Sequence, residues 1–149
     1  MTERYLEDYA VAQTFSSGRL RVDKVRIKAF AAEFDPQPFH LDEEAARKTI
    51  FRGLVASGWH TAAMTMRLLV ESEFKPASGL IGVGFDELRW PRPVRAGDEL
   101  RTESEILEVR PSKSRPEQGL IKFRTTTLNQ NGEVVQISIG NLLVPLRPK

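Results

Sequence analysis

The feature that most constrains the fold is a nearly uncharged segment in the middle of the chain, W-H-T-A-A-M-T-M-R-L-L-V. It should start near Ser57 or Gly58 and reach about Glu71, with almost no charge before Arg67. A helix that is apolar on nearly every face has to be buried, because no side of it suits water. The sequence therefore predicts one central helix around which the rest of the chain is folded.

Two shorter helices are predicted before this segment. Apolar side chains in residues 24–34 recur at the spacing of one helical face. Asp23 is the expected N-cap, and Pro36 ends the helix because the residue before a proline avoids helical geometry. A second short helix is expected over residues 43–48, with Asp42 as its cap.

The second half of the chain has the pattern of β-strands. A strand is also allowed within residues 11–20, and residues 1–9 are expected to form a loosely tied arm. This order favours an α+β fold, in which a curved antiparallel sheet wraps around one apolar helix, as a single domain over residues 1–149. The sheet would leave surfaces to cover, so we expect a homodimer or a higher homo-oligomer. The main strand segments are 80–90, 99–109, 119–128 and 134–145, with a hairpin turn at 129–132.

Composition excludes several classes of function. The 22 basic and 20 acidic residues leave a net charge of +2, which does not favour nucleic acid or membrane surfaces as partners. No apolar run approaches the length of a membrane helix, and the acidic N-terminus does not resemble a signal peptide. The chain has no cysteine, which excludes disulfides and thiolate chemistry. We expect a cytoplasmic protein.

Both histidines of the chain lie in one stretch, residues 34–66. The run F-D-P-Q-P-F-H-L-D places Asp35 and His40 five positions apart, with two prolines stiffening the loop between them. Histidine has an ordinary pKa of roughly 6.5, which suits general acid–base catalysis, and a nearby aspartate can share that work or orient the imidazole. The residues alone favour a structural reading, in which Asp35 caps a loop and His40 is a satisfied structural histidine.

A small-residue turn, Ser57-Gly58, precedes the central helix, and Gly58 lies eighteen positions after His40. Glycine lets other groups approach the backbone closely, and an amide at a helix start carries the positive end of the helix dipole. Such an amide can polarise a bound carbonyl. The alternative is a tightly packed turn without a chemical role. His60, two residues further on, is expected in the core or at an interface.

The run F-D-P-Q-P-F-H-L-D, followed by A-S-G-W-H, resembles the MaoC-like dehydratases, a family that includes the (R)-specific enoyl-CoA hydratases. The resemblance covers most of the chain. F-A-A-E-F-D matches the helix before the motif in that family, and R-P-V-R-A-G-D-E-L matches the segment that leads into a strand. The resemblance implies a protein with a hot-dog fold that is normally dimeric. Such a protein would act on acyl-CoA thioesters without a metal or redox cofactor.

The same resemblance implies roles for three residues. Asp35 and His40 match the catalytic aspartate and histidine, and Gly58 matches the glycine whose amide binds the thioester oxygen. The pair would hold one water and add it to a 2-enoyl-CoA, giving a 3-hydroxyacyl-CoA, or would catalyse the reverse dehydration. The residues do not show which member of the pair is the base in each step.

Two positions depart from the family pattern. Some of these hydratases have histidine immediately before the glycine, where this chain has Ser57, and serine eight residues after it, where this chain has Met66. We expect Ser57, Trp59 and Met66 to bind substrate, with Trp59 and Met66 shaping an apolar acyl pocket.

The expected partner is an acyl-CoA or an acyl-carrier thioester. Two other functions stay open on the same scaffold: hydrolysis of the thioester, and binding of acyl thioesters without turnover. Neither the length nor the branching of the acyl chain follows from the residues. The thiol partner and the pathway are also left open by the sequence.

Overall fold

A computed structural model describes residues 3–149 of the chain. Ten helices and strands lie within these residues, preceded by a short 3₁₀ helix. In chain order they are the 3₁₀ helix (Leu6–Asp8), β1 (Thr14–Ser16), β2 (Leu20–Arg21), α1 (Lys24–Phe34), α2 (Pro38–Leu41), α3 (Glu43–Arg47), α4 (Gly58–Val70), β3 (Ile81–Arg89), β4 (Glu99–Pro111), β5 (Gln118–Leu128) and β6 (Val134–Pro145).

The strands form one antiparallel sheet in the order β1-β4-β5-β6-β3, and β2 also pairs with β4. Register is set by the β5–β6 hairpin, whose turn contains Gly132 with a positive φ of 74°. Thr125 on β5 lies opposite both Ser104 on β4 and Ser138 on β6. These three side chains are buried, so hydroxyl groups occupy the middle of the sheet's inner face.

Helix α4 packs on that inner face through both apolar and polar contacts. Leu69 belongs to one buried apolar cluster, whereas Met64 and Leu68 belong to a second. Between them, the hydroxyls of Thr65 and Thr127 are 2.7 Å apart and satisfy each other in the interior. A sheet wrapped around a single helix is the hot-dog arrangement, and it confirms the predicted α+β class.

The N-terminal arm is better anchored than the sequence predicts. Leu6 and Tyr9 are buried in the first apolar cluster, and the Tyr9 hydroxyl donates to the carbonyl of Phe74. Burial raises the pKa of the Tyr9 phenol above its ordinary value. The prediction of a loose arm is therefore wrong for residues 3–9, while Met1 and Thr2 lie outside the described residues.

Helix α4 also differs from its prediction, because it is not covered on every side. Trp59 is 58% exposed, and Met66 and Val70 are also exposed, about two and three turns further along the same face. The segment carries almost no charge because this face, too, is apolar, although none of residues 3–149 covers it. No helix within residues 3–149 is both long and apolar enough to cross a membrane.

Two of the three short helices, α1 and α3, lie where the sequence predicts them. Asp42 caps α3 by accepting hydrogen bonds from the N–H groups of Glu44 and Ala45. Asp23 occupies the N-cap position of α1, but its side chain makes no capping hydrogen bond. Helix α2 is missing from the prediction, which treats this segment as a loop, since four residues between two aspartates carry no periodic signal.

Candidate active site

Asp35 and His40 come together at the end of α1. Asp35 is the C-cap residue that directly follows this helix, and its N–H donates to the carbonyl of Ala31. The chain then turns at two prolines into α2, which carries His40 back towards the carboxylate. Nε2 of His40 lies 3.3 Å from Oδ2 of Asp35, as the five-residue spacing allows.

The orientation of the His40 ring is fixed by its other nitrogen. Nδ1 lies 2.7 Å from the carbonyl oxygen of Val55, in a buried position. A carbonyl can only accept, so Nδ1 carries a proton, and in the neutral imidazole Nε2 is the free acceptor. The Phe39 ring meets the imidazole edge to face, with their centroids 4.6 Å apart. The ring therefore presents a basic nitrogen to the space beside Asp35.

The Asp35 carboxylate is held by two further donors. Ser57 Oγ donates to Oδ2 at 2.7 Å, and Gln37 Nε2 lies 2.5 Å from Oδ1. The Ser57 hydrogen bond is the main reason that the pKa of Asp35 lies below its ordinary value, and Gln37 and His40 add to it while partial burial opposes it. Asp35 is consequently ionised across the neutral pH range.

The start of α4 offers one unpaired amide to this site. Ser57 Oγ accepts from the N–H of Trp59 at 3.2 Å, and the Ser57 carbonyl accepts from the N–H of His60. The Gly58 N–H, in contrast, makes no hydrogen bond with any of residues 3–149. Because this amide is at the positive end of the helix dipole, it suits an oxygen that gains negative charge.

Trp90 explains why residue 58 has no side chain. A Cβ on Gly58 would lie 2.7–2.8 Å from three atoms of the Trp90 indole, closer than real contacts allow. The indole is itself restrained, because its Nε1–H donates to Gln136 and its face meets the edge of Trp59. The glycine is thus required by packing, whatever its amide does in chemistry.

These groups face one open cavity of about 430 Å³. Asp35, His40, Gly58 and Trp59 all line it, together with Trp90. The sequence therefore identified four of the residues that meet at this cavity. Most of the other lining residues are apolar, among them Phe39, Phe51 and Val55, which suits an apolar substrate group next to a small polar centre.

The other two residues predicted to bind substrate lie elsewhere. Ser57 is completely buried and faces Asp35 rather than the cavity. Met66 lines a second cavity of about 210 Å³, between α4 and strands β3, β5 and β6. The Trp90–Gln136 hydrogen bond lies between the two spaces, because Trp90 lines the first and Gln136 the second.

His60 has the structural position that the sequence predicts. It is buried, its ring stacks on Phe30, and burial followed by the nearby charge of Arg26 lowers the pKa of the imidazole. Its Nδ1 has no hydrogen-bond partner among the described residues. No group of three or more His, Asp or Glu side chains within residues 3–149 is arranged to hold a metal ion.

Sequence reasoning missed three residues of the site. Gln37 lies inside the motif itself, two residues after Asp35. A side-chain amide so close in sequence could have been recognised as a hydrogen-bond donor to the carboxylate. Val55 contributes only a backbone carbonyl, which no side-chain pattern reports. Trp90 is far from the motif in sequence and reaches Gly58 only through the fold.

The fold and the site define the class of protein: a hot-dog domain in which a carboxylate–imidazole pair and a free helix amide line one cavity. The model of the MaoC-like domain family matches residues 9–127, and the chain belongs to this family.

Relatives span nearly the whole chain. The crystal structure of a MaoC-like dehydratase from Rhodospirillum rubrum is 57% identical, with a TM-score of 0.94 over 98% of this chain and 99% of that one. An uncharacterized Bacillus subtilis protein, YdeM, is 34% identical and covers 95% of this chain and 98% of its own. An (R)-specific enoyl-CoA hydratase, also from Rhodospirillum rubrum, is 28% identical over 96% of this chain and 93% of its own.

Proposed function

We propose that the protein is an enoyl-CoA hydratase, which adds water to a 2-enoyl-CoA and catalyses the reverse dehydration of a 3-hydroxyacyl-CoA. One observation carries the proposal: His40 Nε2 and Asp35 Oδ2 lie 3.3 Å apart in a cavity that is also lined by Gly58, whose amide is free. The (R)-specific enoyl-CoA hydratase among the relatives supports the same reaction class.

The reaction needs a water activated beside C3 and a carbonyl polarised beside C2. A water between Asp35 and His40 would donate one hydrogen bond to each, because both present acceptor atoms. Its oxygen attacks C3 while one proton leaves for the pair, and electrons move through C2 to the thioester oxygen. The Gly58 N–H stabilises that oxygen until the pair returns its proton to C2, which restores the carbonyl and completes the addition.

The contacts favour different roles for the acid and the base. Asp35 has its pKa lowered by its hydrogen-bond donors, which makes it a weak proton acceptor. His40 keeps Nε2 free because Nδ1 is committed to Val55. We assign proton transfer to His40, while Asp35 orients the water and stabilises the imidazolium that forms.

The acyl group would lie against the aromatic wall of the cavity. Trp59 and Trp90 stand at the start of α4, next to the amide that binds the thioester oxygen in this proposal. Met66 would take part only if the acyl chain extended past the Trp90–Gln136 hydrogen bond into the second cavity. The chain length that the enzyme accepts therefore depends on this contact.

The assembly proposed is a homodimer. Strand β3 lies at the edge of the sheet, and its Ile81, Val83 and Phe85 are exposed beside the uncovered face of α4. Unpaired edges with apolar side chains are unusual on a protein surface unless another chain covers them. A second copy, pairing its own β3 with this edge, would cover both elements at once.

The test of function is a panel of 2-enoyl-CoAs that differ in length and branching. Hydration removes the absorbance of the conjugated enoyl thioester without releasing a thiol. Loss of absorbance with no reaction of a thiol reagent is the expected result. Release of free CoA would instead indicate thioester hydrolysis, and binding without turnover across the whole panel would indicate a non-catalytic acyl-thioester protein.

A further inference from the structure

One buried hydroxyl links two parts of the site that are remote in sequence. Ser57 Oγ donates to Oδ2 of Asp35 at 2.7 Å and accepts from the N–H of Trp59 at 3.2 Å. Asp35 ends α1, and Trp59 lies in the first turn of α4. The Ser57 side chain has no exposed surface, so it holds these two elements together without touching the cavity.

We propose that Ser57 is a positioning residue, whose hydroxyl fixes the Asp35 carboxylate relative to the free amide of Gly58. The proposal rests on the function proposed above, because this distance matters only if the two groups act on one thioester. Ser57 is well placed for the task, since it directly precedes Gly58 and caps the same helix. Any rotation of the carboxylate would break the hydrogen bond to the helix start.

The hydrogen bond also acts on the charge of Asp35. A hydroxyl that donates to a carboxylate stabilises the ionised form, and this contact contributes most to the lowered pKa of Asp35. The second donor, Gln37, is exposed, so water competes with it. Ser57 therefore has the greater influence on whether the carboxylate stays ionised and aimed at His40.

Ser72 provides a matched control at the other end of α4. Its hydroxyl is also buried, donates to the carbonyl of Leu69 at 2.7 Å and accepts from the N–H of Phe74 at 3.2 Å. Ser57→Ala and Ser72→Ala thus remove the same group from similar backbone contacts. Only Ser57 contacts a titratable side chain, so only its loss should change the titration of Asp35.

The experiment compares wild type, Ser57→Ala, Ser57→Thr and Ser72→Ala by two measurements. The first follows the carboxyl carbon of Asp35 by NMR as pH is lowered, which needs no turnover. The second records the pH profiles of kcat and kcat/KM with a 2-enoyl-CoA that wild type hydrates. In Ser57→Ala the Asp35 pKa should rise towards the ordinary value of roughly 3.9, while kcat and kcat/KM should fall across the neutral range, where Asp35 is ionised in both proteins.

The expected loss in kcat for Ser57→Ala is roughly ten- to a hundredfold, the range for a lost hydrogen bond to a charged group. Ser57→Thr, which keeps the hydroxyl, should restore both the titration and the rate. An Asp35 titration in Ser57→Ala that matches wild type would overturn the proposal, since Ser57 would then only cap the helix. If wild type hydrates no enoyl-CoA, the proposed function fails, yet the NMR titration still decides whether Ser57 controls Asp35.

Discussion

Asp35 combines an exposed edge with a fixed orientation. Its side chain keeps 17% of its surface exposed, while donors on both oxygens restrict how it can turn. A carboxylate of this kind can hold a water against His40 without being protonated itself. The charge of Asp35, more than its shape, is what the proposed chemistry uses.

Replacement of Asp35 by asparagine tests that charge. Asparagine keeps the size and one acceptor oxygen but cannot stabilise an imidazolium, so we expect hydration to slow by roughly 10²- to 10⁴-fold. Glu33→Gln, the same chemical change at an exposed position of α1, is the control and should leave the rate unchanged. Turnover of Asp35→Asn at the wild-type rate, with folding verified by circular dichroism, would remove Asp35 from the site.

At the residue scale the sequence predicts which side chains line the cavity better than it predicts their contacts. The types and spacing of Asp35 and His40 are local, so a motif records them. The sequence predicts that Ser57 binds substrate, yet its side chain is buried and donates to Asp35. Side-chain direction at a helix start depends on the groups around it, and the Ser57 hydroxyl is directed by Asp35 and the N–H of Trp59.

Among the elements, α4 has two different environments along its length. Its first turn supplies the site, and its middle anchors the sheet through Thr65 and the apolar cluster around Leu68. The length of this helix and its central position follow from the apolar segment alone. The exposed face does not, because an apolar residue on the surface of a helix reads in sequence like one buried in the core.

Gly58→Ala tests how tightly α4 is set against the sheet. The new methyl group would overlap the Trp90 ring, which is restrained by Gln136 and Trp59, so a shift is unavoidable. We expect a loss of roughly 1–3 kcal/mol in the free energy of unfolding, the usual cost of overpacking, with a change in tryptophan fluorescence. Denaturant titration measures both.

Gly18→Ala is the matched control, because a Cβ there meets nothing within 4 Å. It should unfold at nearly the wild-type denaturant concentration. If Gly58→Ala were equally stable and its emission unchanged, the close approach of Trp90 to Gly58 would be contradicted.

The packing of the N-terminal segment could not be predicted from the sequence. Leu6 and Tyr9 lie in a stretch with no periodic pattern, and their burial results from contact with Phe74 and distant strands. Such long-range packing cannot be read from local spacing. The strands β4 to β6, by contrast, have β-branched composition and a turn signal, and all three appear as predicted.

For the whole molecule, the apolar surface formed by the edge strand β3 and the exposed face of α4 predicts self-association. Wild type should sediment with the mass of two 16.9 kDa chains. Val83→Lys places a charge at the middle of this edge, where Val83 is 54% exposed, and should shift the population to monomers. Val25→Lys, at an exposed site on α1, should leave the mass unchanged. A monomeric wild type would contradict the proposed dimer.

The most direct measurement of the central claim is the fate of water oxygen during turnover. The enzyme is mixed with a 2-enoyl-CoA in water labelled with heavy oxygen, and the products are analysed by mass spectrometry. We expect an intact thioester that carries one heavy oxygen on C3, and a much slower reaction with Asp35→Asn. Heavy oxygen in a free carboxylic acid, or an unchanged substrate for every acyl chain in the panel, would contradict the assignment of Asp35, His40 and Gly58 to hydration.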